Sequence, residues 1–421
     1  MVNKETFKVI ETFSGIGAQA KALKNINANF EIVHTADWDI NAILAYFAIH
    51  KMDVDFSKYK SITNKEIDIF LHSVTLSSDG KKTISDSIYN KLSEQTKKYL
   101  YIAIKECKNL VSIMDIKGSQ IPDVDLFTYS FPCQDLSLCG AWTGGISGIS
   151  RFAHNRSGLL WEVERILLEM QKNKQKLPTF LLMENVPNIL SPRHLPDFND
   201  WQKSLKSMGY YNQVYVLDAR DFGKIQKRRR AYMISVLCYN DGQKDKIKQY
   251  FYDNNLEFHV PERKKKVLSD ILKIDYSNEI YLQEALLSTP NDTPSRQIIY
   301  DENVHLLHNG VPRDVLVDCV TTKQDRNPNS GTVDLPEELY REGKAKWRFL
   351  TPRECFMLMG FDEEDFTRVK NLNTILSTRK VFMSQEKMVK LAGNSIVVDV
   401  LEEIFKQILF INEKILKGER E

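Results

Sequence analysis

The chain is predicted to be an α/β protein, with a doubly wound and mostly parallel sheet plus a smaller irregular domain. Three observations predict this. Short apolar runs alternate with amphipathic stretches from about residue 7 to residue 237, which is the rhythm of βα units. The first run opens into Phe13-Ser14-Gly15-Ile16-Gly17, with glycine where a ligand must approach the backbone. The rhythm stops near residue 240, where the chain turns polar and carries prolines at 261, 290, 294, 312 and 328.

Phe7–Phe13 alternates and reads as a strand, and Ala18–Asn27 follows the glycine turn as a helix. Glu31–Ala36 is a second strand and Ile40–His50 a second helix. Residues 51–108 break the rhythm. They are rich in Lys, Ser and Thr and read as a surface insertion, with a helical stretch over Tyr89–Cys107. Val111–Met114 is expected as a short strand ending at Asp115, and Val124–Ser130 as the buried strand before Cys133. Leu159–Met170 reads as a helix, and Phe180–Met183 as a strand ending at Glu184. A helix over Trp201–Met208 and strands over Gln213–Leu217 and Ala231–Leu237 complete the domain. Helical patterning returns over Thr351–Met359 and Ser395–Leu416. The expected division is 1–238 with its 51–108 insertion, then 239–345, then a C-terminal segment 346–421 whose final helix returns to the first domain.

Composition narrows the class. The chain has 421 residues, 42% apolar and 27% charged, as in an ordinary soluble globular protein. No apolar run reaches the length of a membrane span, and Met1–Thr6 lacks a signal-peptide core, so a cytoplasmic location is expected. The six cysteines (107, 133, 139, 238, 319, 355) contain no Cys-x-x-Cys spacing, so neither a zinc ribbon nor a thioredoxin motif is supported and no metal site is expected. Net charge is only +2. Two basic clusters, one at Lys224 and Lys227–Arg230 and one at Arg263–Lys266, point to a phosphate-binding cleft.

The polar residues at strand ends carry the chemistry. Ligands bind α/β sheets at the carboxyl ends of the strands. Cys133 follows one such end and opens a glycine-laden loop, Leu138–Ser150, suited to act as a lid. Asp37 ends the second strand, where a carboxylate can bind a ribose hydroxyl pair, and Trp38 beside it offers a flat face for adenine. Glu184 and the Gln226–Arg230 run fall at the same sheet edge.

These local sequences, in this order, resemble the cytosine-5 DNA methyltransferase family. The resemblance rests on Phe13-x-Gly15-x-Gly17, Phe131-Pro132-Cys133-Gln134, Arg156-Ser157-Gly158-Leu159, Glu184-Asn185-Val186, Gln226-x-Arg228-x-Arg230 and Gly393-Asn394-Ser395. The wording from Tyr129 to Ser137 is most like bacterial members that include CpG-specific enzymes. The resemblance implies a Rossmann-like S-adenosylmethionine-dependent methyltransferase sheet. Catalysis would fall to Cys133 as nucleophile, Glu184 at nitrogen 3 and the exocyclic amine of cytosine, and Arg228 orienting the base. Phe13, Gly15, Ile16, Gly17, Asp37, Trp38, Asp115, Ile116, Pro132, Leu159, Asn394 and Ser395 would hold S-adenosylmethionine, with S-adenosylhomocysteine as product. Gln134, Ser137, Arg230, Arg296 and Arg313 are the expected DNA contacts, and 239–345 the target-recognition domain. The partner is double-stranded DNA, with a separately acting restriction endonuclease as a further expectation, and the enzyme is expected to work as a monomer.

Other readings fit less well. A zinc deaminase needs a second cysteine three residues after Cys133, and Leu136 stands there. An amino-methyltransferase would carry an Asn/Asp-Pro-Pro-aromatic motif at this strand end, and none occurs. A tRNA-directed relative would have a much shorter variable segment. A catalytically dead DNA-binding module would not keep Cys133, Glu184 and Arg228 together.

Overall fold

The computed structural model describes residues 5–132, 156–260, 262–378 and 380–418. Its contacts divide the chain into two compact units. The first comprises 1–217, 229–260 and 401–421, and the second 218–228 and 261–400.

The first unit is built on a six-stranded sheet. Its strands are β1 (Phe7–Thr12), β2 (Phe30–Ala36), β3 (Leu126–Tyr129), β4 (Phe180–Asn185), β5 (Tyr210–Asp218) and β6 (Arg229–Leu237), in the order β2-β1-β3-β4-β6-β5. The first three pairings are parallel and β4 pairs antiparallel with β6. Helices connect the strands: α1 (Ala18–Asn25), α2 (Ile40–His50), α3 (Asn64–His72), α4 (Glu94–Glu106), α5 (Leu160–Lys172), α6 (Leu195–Ser207) and α7 (Asp241–Asp253). β3 and β4 are buried along nearly their whole length, as apolar strands of an α/β sheet must be. One core joins Phe127 and Tyr129 of β3, Leu181 and Met183 of β4, Val163 and Leu167 of α5, and Trp201 of α6. Trp201 meets the rings of Tyr129 and Trp161 edge-on and donates its indole N–H to the Tyr129 hydroxyl at 3.0 Å. Burying an indole keeps its polar atom satisfied only through such a partner.

Register places the site. Thr12 stands opposite both Ala36 and Tyr129, and Tyr129 opposite Met183. The four parallel strands therefore end in one row, and Phe13, Asp37, Ser130 and Glu184 follow at the same sheet edge. Because β6 runs antiparallel, with Ala231 opposite Asn185, Arg230 enters at that edge too.

Three expectations are corrected by the structure. Val111–Met114 is a turn, not a strand, and a single bridge pairs Asn109 with Thr35. The reason is local: Val111 takes φ 63°, which breaks an extended run, so the segment buries Val111 and Ile113 from a turn and leaves Met114 exposed. Segment 51–108 is also more than a surface insertion. Ile67, Leu71, Leu100, Ala103 and Ile104 are buried, and Phe56 from this segment bridges Phe47 of α2 and Tyr99 of α4. Most of its charged residues are exposed, Lys97 excepted, which made the segment look superficial. The helix expected from Ser395 begins instead at Val398 (α13, Val398–Phe410) and passes into a π-helical turn, Ile411–Leu416.

The second unit is not irregular throughout. It holds helices α8 (Glu279–Leu287), α9 (Pro294–Glu302), α10 (Pro352–Leu358), α11 (Glu363–Leu376) and α12 (Gln385–Asn394). It also has a short antiparallel pair, β7 (Thr332–Asp334) with β8 (Trp347–Phe349), and a two-residue hairpin over Leu307–Pro312. Buried ion pairs fix its middle. Arg348 and Glu354 are both fully buried and pair through two 2.8 Å bonds. Arg353 forks onto Glu284 at 2.9 Å twice, and Lys370 meets the same carboxylate at 2.8 Å. α10 is the helix expected over Thr351–Met359; polar composition hid the other four, because the core here is partly ionic.

Candidate active site

The turn after β1 is shaped by its glycines. Phe13, Gly15 and Gly17 all take positive φ, at 54°, 53° and 79°. Two of them are glycines for different reasons. A Cβ on Gly17 would lie 2.7 Å from the Tyr46 ring and collide with the ring of His50, so α1 can start there only on glycine. A Cβ on Gly15 would meet nothing within 4 Å among the described residues. That open face is where a ligand has access to the backbone.

Asp37 ties this turn to β2. Its Oδ2 accepts the Gly15 N–H at 2.9 Å and its Oδ1 the Asp39 N–H at 2.9 Å. A carboxylate accepts only, which is the chemistry that suits a ribose hydroxyl pair at such a strand end. Trp38 beside it is half-buried. Its carbonyl accepts from Ser77 N at 2.8 Å, while Ile40 N donates to Ser77 O at 2.9 Å. The 51–108 segment thus braces the Trp38 backbone. Asn109 braces the other side, exchanging bonds with the Asp37 backbone at 3.2 and 3.1 Å and accepting from Val111 N at 2.8 Å. Asp115 is exposed in the following turn, whereas Ile116 is in the core. Ile16 is buried, and its carbonyl bonds His50 Nε2 at 3.1 Å. Leu159 and Pro132 are half-buried.

Beneath the turn lies Glu11, a residue the sequence did not single out. It is fully buried, accepting the Ala20 N–H at 2.8 Å and the Tyr46 hydroxyl at 2.7 Å. Burial outweighs both bonds and pushes its carboxyl up to about 7. Between the ordinary 4.5 and about 7 the native state holds a proton that the unfolded chain has released. Stability therefore falls as pH rises through that window and is level above it, by on the order of 3 kcal/mol in all. Glu11→Gln should flatten this slope. Denaturant titrations at pH 5 and pH 8 check it, and an unchanged slope in the variant would refute the assignment.

At the other strand ends, Ser130 Oγ donates to Phe13 O at 3.4 Å. Asn185 is buried and donates its Nδ2–H to Phe131 O at 3.1 Å, while its Oδ1 accepts from Val186 N at 2.8 Å. Asn185 therefore fixes the backbone two residues before Cys133. Cys133 itself, with Gln134, Ser137 and the Leu138–Ser150 loop, lies outside the described residues.

The two arginines of the Gln226–Arg230 run part company. Arg230 Nε lies 3.2 Å from Glu184 Oε1, both side chains largely buried. Arg228, expected beside the reacting base, instead donates to Val320 O at 2.8 Å, Gly393 O at 3.0 Å, Ser395 O at 2.8 Å and Cys319 Sγ at 3.3 Å, all within the second unit. Arg230, expected on DNA, is the one that meets Glu184. Gln226 is also buried in the second unit, accepting from Val320 N at 2.9 Å and donating to Leu358 O at 3.3 Å. Asn394 ends α12 and is exposed, and Ser395 is buried just after it. Among the expected base readers, Arg296 is half-buried and donates to Asp325 O at 3.1 Å, while Arg313 is exposed and donates to His305 O at 2.9 Å. No group of three or more metal-ligating side chains occurs among the described residues, and no helix among them is long and apolar enough to cross a membrane.

Asp37, Glu184 and Arg230 stand in one strand-end row beside an open glycine turn, at the edge where α/β sheets bind ligands. The profile of the C-5 cytosine-specific DNA methylases matches residues 7–74 and 74–409. The chain belongs to that family. It is a DNA methyltransferase acting on carbon 5 of cytosine, and the family implies a methyl donor of the S-adenosylmethionine type. Among its relatives, the orphan methyltransferase M.SssI of Spiroplasma monobiae is 32% identical over 410 residues, covering 95% of this chain and 97% of that protein. The type II methyltransferase M2.ScrFI of Lactococcus lactis subsp. cremoris is 32% identical over 404 residues, covering 95% and 98%. The crystal structure of the Dnmt2 methyltransferase of S. pombe shares the fold, with a TM-score of 0.56 and 18% identity over 96% of this chain and 98% of that one. The α/β sheet expected of the methylase is thus the fold it has.

Proposed function

We propose that the methylase modifies one cytosine within a specific duplex DNA sequence, by base flipping and transient covalent attack of Cys133 on carbon 6. The observation that carries this reading is the Glu184–Arg230 pair at the sheet edge where Phe131-Pro132 leads into Cys133. Carbon 5 of cytosine is a poor nucleophile. Adding the Cys133 thiolate to carbon 6 makes carbon 5 enamine-like. A carboxyl at Glu184 directed to nitrogen 3 and the exocyclic amine lets the ring accept that electron pair. Arg230, rather than Arg228, orients Glu184 and the base. Loss of the carbon 5 proton then expels the thiolate and restores the ring.

A duplex cytosine must leave the stack first, at about a few kcal/mol. The second unit, which contains most of 239–345, supplies the target reading through groove contacts, with Arg296 and Arg313 among its candidate contacts. The methyl donor is S-adenosylmethionine, which supplies an electrophilic methyl on sulfur. The residues fit it: the open face of Gly15 gives backbone access, the Asp37 carboxylate suits a ribose hydroxyl pair, and half-buried Trp38 offers a face for adenine. Leu159 belongs to the proposed donor site as well. We place the enzyme in the cytoplasm as a monomer, working as an orphan methylase or beside a separate restriction endonuclease.

Bisulfite sequencing of DNA from cells expressing the chain tests this reading. The expected result is one recurrent sequence context in which cytosine resists conversion. Uniform conversion of every context would overturn it.

A further inference from the structure

Within the second unit, one irregular segment has its backbone fixed by side chains. Residues 321–331 form neither helix nor strand, yet Gln324, Asn329 and Ser330 are buried. Successive carbonyls just before Arg326 each accept a side-chain donor. Thr321 Oγ1 donates to Lys323 O at 2.6 Å, Asn329 Nδ2 to Gln324 O at 3.3 Å, and Arg296 Nη1 to Asp325 O at 3.1 Å. On the far side, Asn329 Oδ1 accepts the Gly331 N–H at 2.8 Å and Asn303 Oδ1 the Asn329 N–H at 2.8 Å. Gln324 Nε2 donates to Ser330 Oγ at 3.0 Å. Buried polar groups paired in this way hold a loop in one shape. The side chains left exposed at its tip include Lys323 and Arg326. Arg326 also stands apart from the other arginines described in this unit. Each of those gives its guanidinium to a carboxylate or a carbonyl, Arg296 to Asp325 and Arg313 to His305 O among them. Arg326 has no such partner among the described residues.

We propose that Arg326 reads a guanine of the target sequence from this braced loop, an assignment that rests on the target reading proposed for the second unit. A guanidinium is planar and donates only. In the major groove guanine offers two neighbouring acceptors, oxygen 6 and nitrogen 7, and such a fork bonds both. Adenine sets an amino donor beside nitrogen 7, so one arm of the fork would meet a donor there. An arginine already bonded to the protein must give up a bond to reach a base, and Arg326 gives up none. The loop is ordered in folding, so that ordering is not charged against binding. Arg296 is then a positioning residue: its bond to Asp325 O holds the peptide unit that joins Asp325 to Arg326. A phosphate could also accept from Arg326, but a phosphate contact carries no sequence information.

The test compares the methylated contexts in DNA from cells expressing the full chain as parent, Arg326→Ala or Arg326→Gln. The parent context should contain a fixed guanine at which both variants lose discrimination by about tenfold or more, while the other positions keep theirs. Glutamine still donates but cannot span both acceptors, so it should not restore the preference, and it serves alone if the alanine variant does not fold. A synthetic duplex of the parent context with 7-deazaguanine at that position lacks one acceptor. It should slow single-turnover methyl transfer about tenfold for the parent and less than about twofold for Arg326→Ala. An unchanged context in the variants, a loss spread evenly over all contexts as a phosphate contact would give, or relaxation at a base other than guanine each overturns the proposal. If the parent methylates no context, the methylation reading fails by itself. Duplexes captured by the full chain from a randomised pool then carry the same comparison, and a guanine preference that the parent lacks or that Arg326→Ala keeps overturns the proposal.

Discussion

Cys133→Ala is expected to remove methyl transfer, by at least about 10⁴-fold, the scale of losing a covalent nucleophile. Three of the described cysteines are poor substitutes. Cys107 and Cys355 are buried, and burial pushes the Cys107 thiol up to about 12 and the Cys355 thiol upward as well. Cys238 is likewise raised by burial. A protonated thiol is a poor nucleophile at neutral pH, so burial disfavours these three as nucleophiles. The direct measurement uses duplex DNA containing 5-fluorocytosine. Fluorine replaces the proton that must leave carbon 5, so the parent enzyme should stay attached to the DNA as a band stable to denaturing electrophoresis. The alanine variant should give no such band. A parent that methylates ordinary DNA yet never traps on the fluorinated duplex would rule out the covalent step, and a variant that still methylates would remove Cys133 from the mechanism.

Glu354→Gln should destabilise the second unit by about 3–5 kcal/mol, the cost of stranding one member of a buried ion pair. Glu354 accepts from Arg348 Nη1 and Nη2, from Thr351 N at 2.7 Å and from Lys273 N at 2.8 Å. Arg348 has no exposed surface through which water could replace the charge. Tyr276 and the Phe349 carbonyl share its donors but carry no compensating charge. A matched apolar pair, Arg348→Met with Glu354→Leu, should recover only part of the loss, because the Thr351 and Lys273 amides would then lack their acceptor. Hydrogen exchange resolved along the chain measures this, with lost protection expected over α8, α10 and α11. A change below about 1 kcal/mol would mean that the pair is not held as described.

Much of the site was legible before any fold was known, because its motifs are local. A glycine turn after one strand, a carboxylate after the next, Cys133 and Glu184 after two more are each written within a few consecutive residues. The parallel sheet then brings strand ends to one edge, so sequence order alone implied proximity. Residues acting across long separations were not legible. Asn109 stands 72 positions from Asp37, and Ser77 reaches Trp38 from a segment whose charges suggested mere surface. Glu11 looked like one polar residue on an alternating strand. Its burial against Tyr46 depends on how α2 packs on the sheet.

The sequence by itself determined the family, the sheet and the identities at the strand ends, since those follow from apolar periodicity and short motifs. Only the tertiary structure decided which arginine serves the carboxylate. Arg228 and Arg230 share one motif and differ by two residues, and nothing in their spacing says which one stays with the second unit. That is settled by where the chain crosses between units and by which carbonyls lie within reach, properties of the packed fold that no local pattern encodes.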